Sequence, residues 1–138
     1  MIVTLIRHGQ TDWNLAGRIQ GSTDIPLNDT GREQAREAAR ALDGSAGTVM
    51  YSSDLSRANE TARIIADAHG WNDPHVIPPL RERFYGEAEG ILTSEFLDRF
   101  GPWPTAEVPG AESKADIRVR IVTALREVVA HARANGIS

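Results

Sequence analysis

The sequence predicts an α/β fold: a three-layer α-β-α sandwich around a mostly parallel central sheet, short of one or more strands at its C-terminal end. The alternation of elements predicts the class. Short apolar runs rich in β-branched residues alternate with helical stretches, in the order strand, helix, strand, helix, strand, helix. That order gives a parallel sheet with helices on both faces. A second observation predicts the shortfall. The last helical stretch has an apolar stripe broad enough to cover more sheet than two firm strands and one weak one provide.

Residues 2–6, Ile-Val-Thr-Leu-Ile, read as a buried strand, being short, apolar and bounded by polar residues. Residues 7–29 carry Gly9, Asn14, Gly17, Gly21, Asp24, Pro26 and Asn28 without sustained periodicity, and form a long loop with one helical turn near Trp13. A loop of that length in a compact domain points to function or disorder. Thr30-Gly31-Arg32-Glu33 has capping-box spacing and opens a helix whose stripe is Ala35, Ala38, Ala39 and Leu42. Thr48-Val49-Met50-Tyr51 is the second strand, and Ser52-Ser53 leads into a helix that buries Leu55, Ala58, Ala62 and Ile65 and stops at Gly70. His75-Val76-Ile77 is a short third strand. From Pro78 to Pro109 the prolines confine helix to about residues 93–100. Ile117, Ile121, Leu125, Val128, Val129 and Ala132 recur at helical spacing between Glu112 and Asn135, with Gly136 as the cap.

The 138 residues amount to one domain, and 41% hydrophobic residues suffice for a core. A net charge of −4 argues against binding nucleic acid through an overall basic field, while leaving room for a small anion in one arginine-lined cleft. With no cysteine, disulfides, thiolate chemistry and cysteine-ligated zinc are excluded. No signal peptide is visible and no run approaches the ~20 apolar residues of a membrane helix, so a cytoplasmic protein without membrane partners is the expectation.

Arg7-His8-Gly9 follows the first strand, where open α/β sheets bind ligands. A neutral imidazole is a nucleophile, and nearby arginine charge disfavours imidazolium. Arginine presents a fork of donors matched to phosphate oxygens. Gly9 would let the backbone turn away without blocking a ligand. Arg57, in the first turn of the helix after the second strand, is expected on the same rim, where the helix start adds backbone donors. Together these describe a phosphoryl site needing no metal and no cofactor, because guanidinium charge can neutralise the transferring group.

Leu5 to Asn14 (LIRHGQTDWN) resembles the signature of the histidine phosphatase superfamily, the phosphoglycerate mutase-like proteins. The likeness continues through Gly17-Arg18-Ile19-Gln20-Gly21, Pro26-Leu27-Asn28-Asp29-Thr30-Gly31, Ser52 to Ala58, Thr61-Ala62, Leu80 to Gly86, Glu89-Gly90 and Pro109 to Ser113. It implies that His8 is phosphorylated during turnover, that Arg7, Asn14 and Arg57 hold the phosphoryl oxygens, and that Glu82 is the general acid. Gln10, Gln20, Gly21 and Tyr85 would complete the substrate side. A carboxyl beside a phosphate dianion has its pKa raised and can hold a proton for the leaving group; the flanking Arg81 and Arg83 oppose this unless their side chains point elsewhere. The bland readings are a structural histidine at 8, a surface arginine at 57, a loop salt bridge at Glu82 and loop formers at Asn14, Gln20 and Gly21. The matching motifs, in order, favour the functional ones. Arg32, Arg36 and Arg40 read as a solvated helix face, His69, His75 and His131 as surface or packing residues, Trp13 as pocket wall, and Trp71 and Trp103 as packing.

The resemblance also implies a second histidine, in an apolar strand after the late helix. His69, His75 and His131 do not fit it. Residues 1–138 are therefore expected to form a single but incomplete domain of this kind, in a chain that continues or has been cut short rather than a natural fragment. The expected function is a metal-independent phosphatase acting on a small phosphorylated metabolite through a phosphohistidine. A phosphoglycerate mutase is the first alternative; it is disfavoured because residues 91–108 hold Arg99 as the only basic residue. A non-catalytic phosphate-binding or regulatory protein is the second, should the chain end at Ser138. The substrate is not selected by the sequence, and the oligomeric state stays open, a homodimer included.

Overall fold

The computed structural model describes residues 1–44 and 48–137. Its elements run α1 (Asp12–Leu15), α2 (Asp29–Ala41), β1 (Tyr51–Ser52), α3 (Ser56–His69), β2 (His75–Val76), α4 (Thr93–Phe100) and α5 (Lys114–Ala134). Two 3₁₀ turns, Pro78–Leu80 and Gly86–Ala88, lie between β2 and α4.

The fold is α/β with a parallel sheet. β1 and β2 pair in parallel, Tyr51 opposite His75 and Ser52 opposite Val76, and the ladder extends through His75 N to the Met50 carbonyl and Ile77 N to the Ser52 carbonyl. Successive strand residues face opposite sides, and here each side meets a helix. Tyr51 packs beside Ile77, Ala124 and Val128, and its hydroxyl lies 2.8 Å from His131 Nδ1 on α5. Ser52 accepts from Asn59 Nδ2 of α3 at 2.9 Å. α3 on one face and α5 on the other make the three layers. α2 then packs on α3 through small residues, with Ala35, Ala39, Ala62, Ile65 and Ala66 all buried. A second cluster of Ile19, Ala88 and Phe96, with Tyr85, Ile91 and Phe100 against it, seats the loop after α1 on the segment before α4. Trp103 stacks on Phe96, which is a packing role.

Three expectations need correction. Residues 2–6 do not form a strand and are not buried: Ile2 is 93% exposed and Leu5 83%. A strand is held by a neighbour's N–H and C=O groups, and among the described residues none pairs with this run. The second strand is also shifted, running Tyr51–Ser52 rather than Thr48–Tyr51. Finally, α2 is capped by Asn28, whose Oδ1 accepts from Gly31 N at 2.9 Å, and not by Thr30. Asn28 is an equally good cap and is anchored from its other end, because Nδ2 donates to Gln10 Oε1 at 3.1 Å. Glu33, expected to reach back, is paired instead with Arg36 and Arg40, both at 2.9 Å.

The helical turn at Trp13, the helix at 93–100 and the stop at Gly70 agree with expectation. Gly70 is the C-cap of α3 with φ +67°. Among the described residues no helix is long and apolar enough to cross a membrane.

Candidate active site

His8 is not carried by a strand end. Its backbone is anchored through the neighbouring glycine: Gly9 N donates to Thr61 Oγ1 at 3.1 Å, and Thr61 Oγ1 donates to the Arg57 carbonyl one helical turn back on α3. Arg57 and Thr61 are four residues apart and so share a face of α3. One helix face thus positions both the imidazole's backbone and the arginine beside it.

Gly9 is required by packing rather than by ligand access. A Cβ there would lie 2.2 Å from the Gly31 carbonyl oxygen, and a Cβ on Gly31 would lie 2.1 Å from that of Gln10. The start of α2 is pressed against the loop bearing His8 so closely that neither position has room for a side chain.

The hydrogen bonds define the tautomer of His8. Its Nδ1 lies 2.7 Å from the Gly9 carbonyl, which only accepts, and Arg57 Nε, which only donates, lies 3.2 Å from Nε2. Nδ1 therefore carries the hydrogen and Nε2 the lone pair. Burial pushes the His8 pKa below its ordinary value; the Gly9 carbonyl opposes this, Arg57 and Arg7 add to it, and Glu82 opposes it. The arrangement is a neutral imidazole with its basic nitrogen turned toward a guanidinium.

Arg57 is 1% exposed. Besides Nε on His8, Nη1 donates to the Thr23 carbonyl at 2.7 Å and Nη2 to the Gly21 carbonyl at 2.6 Å. Burial lowers its pKa, while Glu82, Asp24 and Glu89 push it back up. Three acidic groups thus favour the charged form of this buried guanidinium.

The structure brings the other expected residues to this site in different ways. Arg7 is exposed and acts on His8 through its charge. Glu82 acts on His8, Arg57 and Tyr85 by charge, and its Oε1 accepts from Arg83 N at 2.9 Å. The arginines beside Glu82 do point elsewhere. Arg81 forms a two-pronged pair with Asp54 at 2.5 and 2.7 Å, and Arg83 donates to the Glu112 carbonyl at 2.9 Å and lies over the Tyr85 ring. Tyr85 is half-buried against Trp103, and burial pushes its pKa up.

Asn14, Gln20, Gly21 and Gln10 are committed to building the loop. Asn14 Oδ1 accepts from Thr11 N at 3.0 Å and Asn14 N donates to Thr11 Oγ1 at 3.1 Å, closing a capping box on α1. Gln20 is buried and accepts from Thr11 Oγ1 at 2.5 Å. Gly21 has φ +53°, and its carbonyl meets Arg57. Gln10 accepts from Asn28 through its side chain and donates to Gln34 through its backbone. Among the described residues no group of three or more His, Asp or Glu stands ready to hold a metal ion.

Residues to which the sequence assigned no role also shape the site. Thr61 could have been found from its spacing to Arg57. Glu89 could not, because Ser22 and Thr23 lie 67 and 66 positions away, nor could the reach of Arg120 to the carbonyls of Pro79 and Arg81, 41 and 39 positions away.

Known proteins resemble this chain in sequence and fold. The uncharacterized phosphatase PhoE of Bacillus subtilis is 39% identical over 127 residues, covering 91% of this chain and 63% of its own length. A probable phosphoglycerate mutase, GpmB of an Enterobacter species, is 38% identical over 133 residues, covering 91% of this chain and 61% of its own. The chain therefore spans under two thirds of the length of these relatives. Among solved structures, mycobacterial glucosyl-3-phosphoglycerate phosphatase complexed with VO3 superposes with a TM-score of 0.79 at 34% identity, covering 89% of this chain and 64% of that one. A family model matches residues 3–137, and on that match the chain belongs to the histidine phosphatase superfamily, branch 1.

Proposed function

We propose that the site serves a metal-independent phosphatase that hydrolyses a small phosphomonoester through a phosphohistidine on His8. The observation that carries this reading is His8 Nε2, whose lone pair is set by the Gly9 carbonyl on the far side of the ring and accepts from Arg57 Nε at 3.2 Å, a bond that gives way as Nε2 attacks. Nε2 attacks phosphorus as the ester P–O bond breaks, and the leaving oxygen takes a proton from the Glu82 carboxyl. Glu82, now a carboxylate, takes a proton from water; the water oxygen attacks phosphorus, the N–P bond breaks, and orthophosphate leaves with His8 neutral again. Arg57 and Arg7 supply the positive charge that spreads over the phosphoryl oxygens. PhoE, GpmB and the mycobacterial phosphatase carry names of enzymes acting on phosphate esters, which supports the substrate class.

Hydrolysis rather than transfer to a second substrate is favoured by the segment after Glu82. Arg99, the one basic residue between 91 and 108, is paired with Glu95 at 3.2 Å. The test is turnover of an aryl phosphate by the intact protein in the presence of chelator, alongside His8→Ala. Activity that survives the chelator and is lost in the variant supports the reading. Interconversion of phosphoglycerates instead assigns a mutase, and phosphate binding without turnover overturns catalysis.

A further inference from the structure

Glu89 comes directly after the Gly86–Ala88 turn and reaches across to a loop more than sixty residues earlier in the chain. Its Oε1 accepts from Ser22 N at 2.7 Å and from Tyr85 N at 3.2 Å, and its Oε2 accepts from Thr23 Oγ1 at 2.5 Å. The fit is tight: a Cβ on Gly21 would lie 2.1 Å from Glu89 Oε1. The loop gripped in this way presents the carbonyls of Gly21 and Thr23, and both accept from Arg57. Ser22 Oγ also donates to the Glu82 carbonyl at 3.1 Å, tying the same loop to the segment bearing the candidate acid.

We propose that Glu89 is a positioning residue, its carboxylate setting the 21–23 loop whose carbonyls fix the Arg57 guanidinium against His8. The inference deepens the phosphatase reading and rests on it for its functional meaning. Arginine side chains are long and rich in rotamers, so a buried guanidinium keeps one orientation only where its acceptors are themselves held. Gly21 and Thr23 sit in an irregular loop, and their carbonyls gain a defined direction from the contacts around Ser22. Glu89 supplies those contacts from outside the loop. Its own oxygens meet three donors, so it acts through Arg57 rather than on a ligand.

The role separates from a general effect on stability through readouts at His8 and phosphate. NMR titration of the His8 ring and the dissociation constant of orthophosphate are compared in wild type, Glu89→Ala and Glu89→Gln, each first checked for folding by circular dichroism. In Glu89→Ala, release of Arg57 should move the His8 midpoint up toward the ordinary value of about 6.5 and weaken orthophosphate by roughly tenfold or more. Glutamine keeps an oxygen for Ser22 N and Tyr85 N, and its amide can donate to Thr23 Oγ1, so Glu89→Gln should stay within about threefold of wild type. A folded Glu89→Ala with unchanged His8 titration and phosphate affinity overturns the proposal. So does Glu89→Gln falling as far as Glu89→Ala, which would make charge rather than position the cause. Should Glu89→Ala not fold, Thr23→Val removes one of the three contacts, and an unchanged His8 midpoint there overturns the proposal equally. The titration requires no ligand, so it tests Glu89 even if the intact protein proves not to bind phosphate and the functional reading fails.

Discussion

Arg57 Nε stands 3.2 Å from His8 Nε2, joining two residues 49 positions apart along the chain. A guanidinium cannot accept a hydrogen bond, so the contact exists only while Nε2 is unprotonated. Protonating the ring would both break the contact and place two cations together in a partly buried site.

The first expectation concerns pH. His8 should titrate below the ordinary histidine midpoint of about 6.5, since burial and both arginines favour the neutral ring. The native state then binds its proton later than the unfolded chain does. Stability should be flat with respect to this group above about pH 6.5, fall as pH drops through the lowered native value, and level off beneath it. The acid limb of activity should likewise lie below 6.5, and NMR titration of the His8 ring checks the midpoint. A midpoint above 6.5 would contradict the hydrogen-bonding assigned to the ring.

Arg57 offers a sharper case. Arg57→Lys keeps a charge but cannot span His8 Nε2, Gly21 O and Thr23 O at once, because an ammonium presents its three donors from one nitrogen rather than across a fork. Its removal leaves loop carbonyls short of a partner in a buried setting, which costs about 1–3 kcal/mol for each such group. Arg57→Lys should therefore lower the melting temperature and weaken orthophosphate by about tenfold or more, with Arg57→Ala worse in both respects. Calorimetry of both variants decides. An Arg57→Lys variant equal to wild type in phosphate affinity would rule out a three-way guanidinium role.

Gly9→Ala should be among the most damaging single-methyl changes in the chain. The added carbon would meet the Gly31 carbonyl oxygen at 2.2 Å, and that oxygen is backbone, so no side-chain rotation relieves the overlap. Overpacking of this kind costs roughly 1–3 kcal/mol or more. Gly31→Ala should match it, since it meets the Gln10 carbonyl oxygen at 2.1 Å. The double variant should cost less than the sum of the two, because moving α2 away relieves both clashes at once. Urea denaturation of the three variants measures the coupling.

These long-range contacts show where the sequence could be read and where it could not. Gly70, the helix at 93–100 and the position of Arg57 in the first turn of α3 were legible because each depends on residues within a turn or two. Residues 2–6 misled because a β-branched run states an ability to pair and says nothing about whether a partner lies alongside. Asn28 and Thr30 are both sound caps, and the contact between Asn28 and Gln10 chooses between them. Gly9 looked like a gap left for a ligand; its neighbour is the backbone of Gly31. His8, Arg57 and Glu82 could be grouped by motif, whereas Glu89 became meaningful only once Ser22, 67 positions away, was seen to donate to it.

Arg120 lies on the face of α5 toward the turn after β2. Its Nε and Nη2 each donate at 2.7 Å to the two oxygens of Glu112, and its Nη1 donates to the carbonyls of Pro79 and Arg81 at 2.7 and 2.8 Å. It therefore holds the backbone on which Glu82 is mounted, without touching the ring of His8. Two-pronged, partly shielded pairs of this kind contribute more than exposed ones. Arg120→Ala should destabilise the chain by about 1–3 kcal/mol, since hydrogen bonds to charged groups are lost and Glu112 is left alone. The kinetic consequence should be selective. Binding of the phosphoryl group depends on Arg57 and His8, which Arg120 does not contact, so KM and orthophosphate affinity should change little. Proton delivery by Glu82 should suffer, lowering kcat/KM for esters with a poor leaving group by about tenfold, whereas kcat/KM for a good leaving group, whose departure needs no proton, should be spared. Comparing an alkyl phosphate with a nitrophenyl phosphate in wild type and Arg120→Ala gives the answer. Equal loss on both substrates would remove Arg120 from any role in setting Glu82, and a loss confined to the alkyl ester would place the two in one line of action.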